Sequence, residues 1–458
     1  MAVVHHSSTE LRTLRALSSG DVVSPADSAY DEARAAWNLA ADQRPAAVVF
    51  PQNDTDVAFA MAYAREAGLR VSVQGTGHNP MPLGEMADSV LIRTSRMRQV
   101  DIDPSARRAR VQAGAIWSDV APLANSHGLA ALVGSSPDVG VVGYSLGGGI
   151  GYLGRKHGIQ ANSVTAIELV TPDGEHVRTD ADHDADLFWA LRGGGGNFGV
   201  VTAIEFGLYP VSSVYGGWLI WPWEDSQRVI ERWVDWTRTA PDEVTSMARI
   251  MQLPPIPDVP EMLRGRQIVV VSAAYLGSKD DGEWVLGPLR ELKPEIDTFE
   301  TMEPLGLSYL HGDPETPVPG VSDTAILDDL PQDAIDTFVA KAGPDAGTAL
   351  LAAELRQMGG AFARSGEGHG ALSHIDGSYV LFGVGMTMNE QMAVAVERDS
   401  RELMAAMQPY GHGRSYSNFA ERAVDAGSFY PEDTYRRLRE IRSRVDPDGL
   451  MRANHVIA

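Results

Sequence analysis

The chain has 458 residues, 44% of them hydrophobic and 22% charged, with a formal net charge of −23 from 38 basic and 61 acidic side chains. That length points to two domains, and so acidic a surface argues against nucleic acid or an anionic membrane as partner. Cysteine is absent, which excludes disulfides, thiolate nucleophiles, iron–sulfur clusters and cysteine-ligated zinc.

Residues 1–10 contain no basic stretch followed by an apolar run, and no window approaches the ~18 apolar residues of a membrane span. A cytoplasmic protein with no membrane contact is expected. Residues 27–44 predict a helix, opened by Asp27, Ser28 and Asp31 and stopped before Pro45. Residues 46–50 read as a short buried strand. Asp54, Thr55 and Asp56 can cap a helix over 55–67 that ends at Gly68. Residues 70–74 form the next strand, so the stretch predicts a β-α-β unit. The turn Gly75-Thr76-Gly77-His78-Asn79 follows it. Two glycines free to adopt φ > 0 let backbone approach a ligand, and consecutive N–H groups in such a turn suit a diphosphate. Read alone, the segment fits an idle bend with an incidental His78 equally well.

Strands are predicted at 89–94, 99–103 and 108–113, a helix at 116–127, and a glycine-rich region at 134–158. Residues 163–170 and 175–179 pair as a hairpin across Pro172-Asp173-Gly174. A helix at 184–192, a glycine run at 193–199 and a strand at 200–208 complete a first part, 1–212. Residues 213–409 read as a second α+β domain, with strands at 217–221, 267–275 and 378–386 and helices at 226–239, 332–342 and 390–407. Residues 410–458, with a helix at 431–445, are expected to return to the first domain.

Gly149 to Gly154 and Gly194 to Gly199 both match G-x-G-x-x-G. Neither has the following helix and the acidic residue that the dinucleotide fingerprint requires. Three glycine loops, at 75–77, 143–151 and 193–199, point instead to one extended ligand lying against backbone.

The motifs Tyr30…Trp37-Asn38…Arg44-Pro45, Val71…Gly77-His78-Asn79, Pro137-Asp138-Val139-Gly140…Gly143-Tyr144…Gly147…Gly149-Ile150-Gly151, Gly158…Asn162, Leu187…Arg192…Asn197…Thr202, Tyr416-Ser417-Asn418 and Asp446-Pro447 occur in that order. Together they resemble the flavoprotein oxidases of the vanillyl-alcohol oxidase / p-cresol methylhydroxylase (PCMH) superfamily. Within it the similarity is to the berberine bridge enzyme-like and bacterial hydroxynicotine oxidase-like group. The resemblance implies an α+β fold: a two-lobed PCMH-type FAD-binding domain, discontinuous in sequence, plus a substrate domain with an antiparallel sheet backed by helices. FAD would lie between the lobes, against Gln74, Gly75, Thr76, Gly77 and Asn79 of one loop and Ser136, Pro137, Val139, Gly140, Gly143, Tyr144, Gly147 and Gly149 of another. Val201 would lie near the adenosine part, and Asn418 and Asn454 would reach the cofactor from the C-terminal segment. His78 matches the residue joined covalently to the flavin 8α-methyl. Relatives with a second, cysteinyl bond carry cysteine where this chain has Ser136, so a single tether through His78 is expected. Gln74 replaces a usual arginine. Tyr144 replaces a common histidine and could still donate a hydrogen bond to the reduced flavin. Val139 resembles the small residue of members that admit oxygen.

The implied reaction is hydride transfer to FAD from a C–H beside O or N of a small alcohol, sugar, amine, polyketide or alkaloid, with O2 reoxidising the flavin to give H2O2. A dehydrogenase using another acceptor, and a catalytically weak flavin-binding protein, are the alternatives. Tyr416, Asn418 and Tyr144 are the candidate catalytic residues. Gln357, Phe362, Arg364 and Trp221 are the candidate substrate-facing residues, although core packing is the favoured reading of Trp221 and Trp223, which should share one sheet face. Glu354 and Glu367 fall outside the strand positions where plant relatives keep a glutamate base. His311, His369, His374 and His412 could line the site, but no metal-ligand spacing links them. Monomer and homodimer are both left open.

Overall fold

Three sheets organise the chain. The computed structural model describes residues 8–257 and 259–458, so His5, His6 and the start of the N-terminal segment lie outside the described residues. The first sheet contains β1 (Asp21–Val23), β2 (Ala47–Phe50), β3 (Arg70–Gln74) and β4 (Ser89–Arg93), in the order β1-β2-β4-β3. β2 and β3 each run parallel to β4, which separates them. The predicted β-α-β unit therefore holds, with a third strand inserted between its two strands. Its helix, Asp54–Glu66, is capped by Asn53, whose side chain accepts from the Asp56 N–H at 3.0 Å. Asp56, expected as a cap, is instead buried and accepts from Ser19 and Gln52.

The second sheet holds β5 (Val100–Asp103), β6 (Arg108–Gln112), β7 (Val164–Val170), β8 (His176–Asp180) and β9 (Val200–Gly207), in the order β5-β6-β9-β7-β8. One-turn helix Gly154–His157 follows Gly154, and β9 follows Gly199 directly, as the rejection of the dinucleotide fingerprint requires. The C-terminus comes back to this part of the molecule. Leu450 and Arg452 hydrogen-bond both sides of Val71, and Asn197 brackets His455 and Ile457.

The third sheet contains β10 (Val214–Pro222), β11 (Val244–Gln252), β12 (Gln267–Tyr275), β13 (Ile296–Asp297), β14 (Glu300–Met302), β15 (Gly320–Leu327), β16 (Ala352–Gln357) and β17 (Tyr379–Met386). Its order is β13-β10-β12-β11-β16-β17-β15, all antiparallel, with β14 also on β10. Helices Ser226–Thr237, Lys279–Arg290, Gln332–Ala342 and Glu390–Met407 back one face. Val229, Ile230, Trp233 and Val234 recur at the helical period and bury against Leu219, Val271 and Leu355. The opposite face turns toward the first two sheets: Ser272 of β12 meets the Tyr152 hydroxyl at 3.0 Å. With both faces covered, β12 reads as an almost unbroken apolar run.

The helix predicted over 27–44 is confined to Tyr30–Arg34. Beyond it the backbone is used elsewhere. The N–H groups of Trp37 and Asn38 donate to the carbonyls of Thr76 and Gly77 at 3.1 and 3.0 Å. The Asn38 side chain brackets Gly320 at 2.9 and 3.1 Å. These contacts compete with helical hydrogen bonds, and they fix the His78 loop.

Candidate active site

β3 delivers Gln74 to the mouth of a groove between the two smaller sheets, and the chain turns there through His78. The turn needs glycine at one position, not two. Gly77 has φ +86° and a Cβ there would lie 2.7 Å from Gln74 Nε2, whereas a Cβ on Gly75 would meet nothing closer than 3.7 Å. His78 is held on three sides. Its ring stacks on Trp37 with centroids 4.2 Å apart and planes 19° apart. Nδ1 lies 2.7 Å from Thr76 Oγ1, and Nε2 lies 3.3 Å from an Asp138 carboxylate oxygen. Asp138 also accepts from Ser136 Oγ at 2.8 Å and Trp37 Nε1 at 2.5 Å. Burial pushes the Asp138 carboxyl up, but His78, Ser136 and Trp37 outweigh it and hold the pKa below the ordinary carboxylate value. Trp37 and Asp138 were visible only as motif letters; neither was assigned a role from sequence.

Loop 136–149 faces the His78 turn. Pro137 and Val139 carbonyls accept from Ser118 and Trp117 at 2.7 and 3.1 Å, and Gly140 opens the helix Val141–Leu146, which carries Gly143 and Tyr144. Asn79 donates to the Ser417 and Ala420 carbonyls at 3.3 and 3.2 Å, and Asn454 donates to the Asn79 carbonyl. Asn418 donates to the Tyr144 carbonyl at 3.0 Å and to the Tyr416 hydroxyl at 3.2 Å; a Cβ on Gly147 would sit 1.8 Å from its Oδ1. A Cβ on Gly149, at φ +81°, would meet the Tyr144 ring at 2.4 Å. Val201 is a core residue of β9. The Tyr144 hydroxyl donates to the Leu132 carbonyl at 3.1 Å. Its proton is thus engaged by that carbonyl in this structure.

Tyr416 is 1% exposed. Its hydroxyl oxygen accepts from the Gly149 N–H at 2.8 Å. Burial raises the phenol well above its ordinary value, although Gly149 and Asn418 pull the other way. A buried phenol that holds its proton is a poor base at neutral pH.

The groove fits FAD. Both amide atoms of Gln74 and of Gln160 and Oδ1 of Asn79 are buried without a hydrogen-bond partner. Buried polar atoms are normally satisfied, so this set along the two loops calls for a polar ligand. The loops, Asn79 and Asn454 would hold it.

Three of the four substrate-facing candidates are elsewhere. Trp221 is fully buried against the helices and donates to the Leu292 carbonyl at 3.2 Å; Trp223 has left the strand. Gln357 also points into the helical layer, bonding Ser246 Oγ at 2.8 Å and the Thr237 carbonyl at 3.2 Å. Arg364 is exposed and paired with Asp242 at 2.8 Å. Phe362 alone lies near the site, packed with Ile150 and Tyr416.

The residues that do face the groove from the large sheet alternate with these. Glu354 and Arg356 of β16 form a buried ion pair, and Glu354 also meets His311 Nε2 at 2.5 Å. His311 Nδ1 meets Asp313 at 2.6 Å, and Arg249 of β11 donates to the His311 carbonyl at 2.8 Å. Arg356 lies over the Phe419 ring, 4.7 Å from its centroid, and Phe419 packs edge-on against Tyr416. Burial works to raise the Glu354 carboxyl, but the charges of Arg356, His311 and Arg249 hold it well below the usual range. Glu354, dismissed from the sequence, is thus on a site-facing strand position after all; His369 and His374 pair with Asn162 and Ser373, and His412 with Asp328.

Glu421 lies at the same junction, accepting from the Ser322 N–H at 3.0 Å, and burial pushes its carboxyl up to about 7. A folded-state pKa above the unfolded 4.5 means stability that is present at low pH and lost as pH rises through about 7. Glu421→Gln should therefore stabilise the protein at pH 8 by roughly 1–3 kcal/mol and leave melting at pH 4 unchanged.

The fold and the comparisons together mark the chain as an FAD-dependent oxidoreductase. A family described as FAD binding domain matches residues 45–180. The (R)-6-hydroxynicotine oxidase of Paenarthrobacter nicotinovorans is 28% identical over 96% of this chain and 96% of its own length. Physcomitrella patens BBE-like 1 superposes with a TM-score of 0.86 at 21% identity, covering 98% and 99% of the two chains. The glucooligosaccharide oxidase of Acremonium strictum, described with a 6-S-cysteinyl, 8α-N1-histidyl FAD, superposes with a TM-score of 0.84 at 21% identity over 98% of each chain. Residues 45–180 carry an FAD binding domain, and along nearly its whole length the chain is similar to the hydroxynicotine oxidase and shares the fold of the BBE-like proteins. Among the described residues, no helix is long and apolar enough to cross a membrane.

Proposed function

We propose that this chain is an oxidase that carries FAD joined through His78 alone and oxidises a C–H beside O or N of a small organic molecule, with O2 as final acceptor and H2O2 as product. The observation that carries it is the clamp on His78 by Trp37, Thr76 and Asp138, at a groove lined by unpartnered polar atoms. Bound FAD supplies the two-electron acceptor. Asp138 beside Nε2 favours the tautomer with its proton there, which leaves on Nδ1 the lone pair that a bond to FAD would use in place of the Thr76 contact. The glucooligosaccharide oxidase is described with a histidyl nitrogen together with a cysteinyl sulfur; this chain has no cysteine. In domain terms, 1–212 and 410–458 form the cofactor part and 213–409 the part that selects substrate.

Tyr416 and Asn418 hold the 144–149 loop in place through the Gly149 N–H and the Tyr144 carbonyl. Tyr416→Phe should then lower kcat by less than about tenfold, against the roughly 10²–10⁴-fold loss expected of an essential base. The reading as a whole is tested by peroxide release under air across amines, sugars, phenolic alcohols and polyketide alcohols. The expected result is a yellow protein that yields peroxide with members of one class. A colourless protein, or one that reduces an artificial dye but gives no peroxide, would sink it.

A further inference from the structure

The charged group on the large sheet leaves donors unused. His311 has a carboxylate oxygen at each ring nitrogen, Glu354 at 2.5 Å and Asp313 at 2.6 Å. Two guanidiniums, those of Arg249 and Arg356, also reach its ring nitrogens, each at 3.4 Å. Arg249 is 2% exposed. Its Nη1 donates to the His311 carbonyl, but Nε is 4.0 Å from Glu354, and neither Nε nor Nη2 has an acceptor.

Nε and Nη2 form one edge of the guanidinium, and elsewhere in this protein that edge grips carboxylates. Arg98 holds Asp119 through Nε at 3.0 Å and Nη2 at 2.7 Å; Arg110 holds Glu168 through Nε at 2.8 Å and Nη2 at 2.5 Å. The fork matches two carboxylate oxygens. On Arg249 the same edge is buried without a hydrogen-bond acceptor, on the face that carries Arg356 toward Phe419 and Tyr416, with the Trp218 ring centroid 5.3 Å from the guanidinium carbon. A buried guanidinium without its full set of acceptors is unfavourable, and an incoming carboxylate supplies the missing acceptors.

We infer that the Nε–Nη2 edge of Arg249 is a substrate-binding subsite for a carboxylate, so that the molecules oxidised are small organic acids or amino acids bearing the reactive C–H at a distance from that group. This rests on the oxidase reading for what happens to the C–H, but not for the binding itself. The test uses purified, flavin-loaded protein and two matched probe pairs, benzoate with benzamide and phenylacetate with phenylacetamide, titrated by calorimetry and by the change in flavin absorbance. The wild type should bind at least one carboxylate tenfold or more tightly than its amide. Arg249→Gln should abolish that preference, and Arg249→Lys should restore only part of it, since an ammonium lacks the fork. Equal affinity for acid and amide, binding of neither, or a preference that survives in Arg249→Gln overturns the subsite; the wild-type comparison stands even if a variant folds poorly. A colourless protein that still binds the acid selectively by calorimetry would fail the oxidase reading and leave the subsite intact.

Discussion

His78→Ala is expected to convert the protein from one that keeps its flavin through acid precipitation to one that releases all of it. The wild-type band should fluoresce under ultraviolet light on a denaturing gel, and the variant band should be dark. The reason is chemical: the proposed bond runs through His78. Cysteine is absent, and His78 is stacked and hydrogen-bonded at the groove. Non-covalent FAD should persist in part, because the backbone turn at Gly77, Asn79 and the 136–149 loop are untouched. Asp138→Asn separates anchoring from fold. It keeps the shape around Ser136 and Trp37 but removes the negative charge beside Nε2. Covalent incorporation should slow while the protein remains folded. A variant at position 78 that still holds flavin through denaturation would show that another residue carries the bond.

The cofactor half of the molecule was more legible in the sequence than the substrate half, and the cause is geometric. Glycines at sharp turns and short apolar strands are local signals, so the loop after β3 and the 163–180 hairpin could be found from neighbours in sequence alone. Which face a strand presents is not local when both faces are buried. In β16, Ala353, Leu355 and Gln357 look into the helices while Glu354 and Arg356 look toward the groove. Both sets are covered, so the period of two marks the alternation without saying which phase is which. Gln357 was chosen over Glu354 and Arg356 for want of that phase, and Trp221 was misplaced in the same way on β10. One signal was available: Arg249, Glu354 and Arg356 are charges inside otherwise apolar strands, and a charge there is buried either with a partner or for a purpose. The failed helix over 27–44 has a different cause, since Trp37 and Asn38 are claimed by the backbone of the His78 turn, a contact across the fold that no local propensity reports.

Glu354→Gln should be the most damaging substitution on the substrate side, lowering stability by about 3–5 kcal/mol at pH 7 and removing turnover with it. The side chain is 1% exposed and pairs with both Arg356 and His311. The isosteric amide keeps the volume but leaves the buried Arg356 guanidinium without its carboxylate. The like charges of Arg249 and Arg356 would then repel in a poorly screened site. Thermal melting followed by circular dichroism reads the loss. The pH dependence supplies an internal check whose sign is set by the depressed carboxyl. A folded-state pKa below the unfolded value of 4.5 gives stability that is present above that pH and disappears as pH falls through the folded value. The gap between wild type and Glu354→Gln should therefore be widest near neutrality and narrow steadily in acid. A gap of constant size from pH 7 down to pH 3 would mean that Glu354 stabilises by packing, and that the charge cluster beneath the substrate site is not what holds that face of the sheet in order.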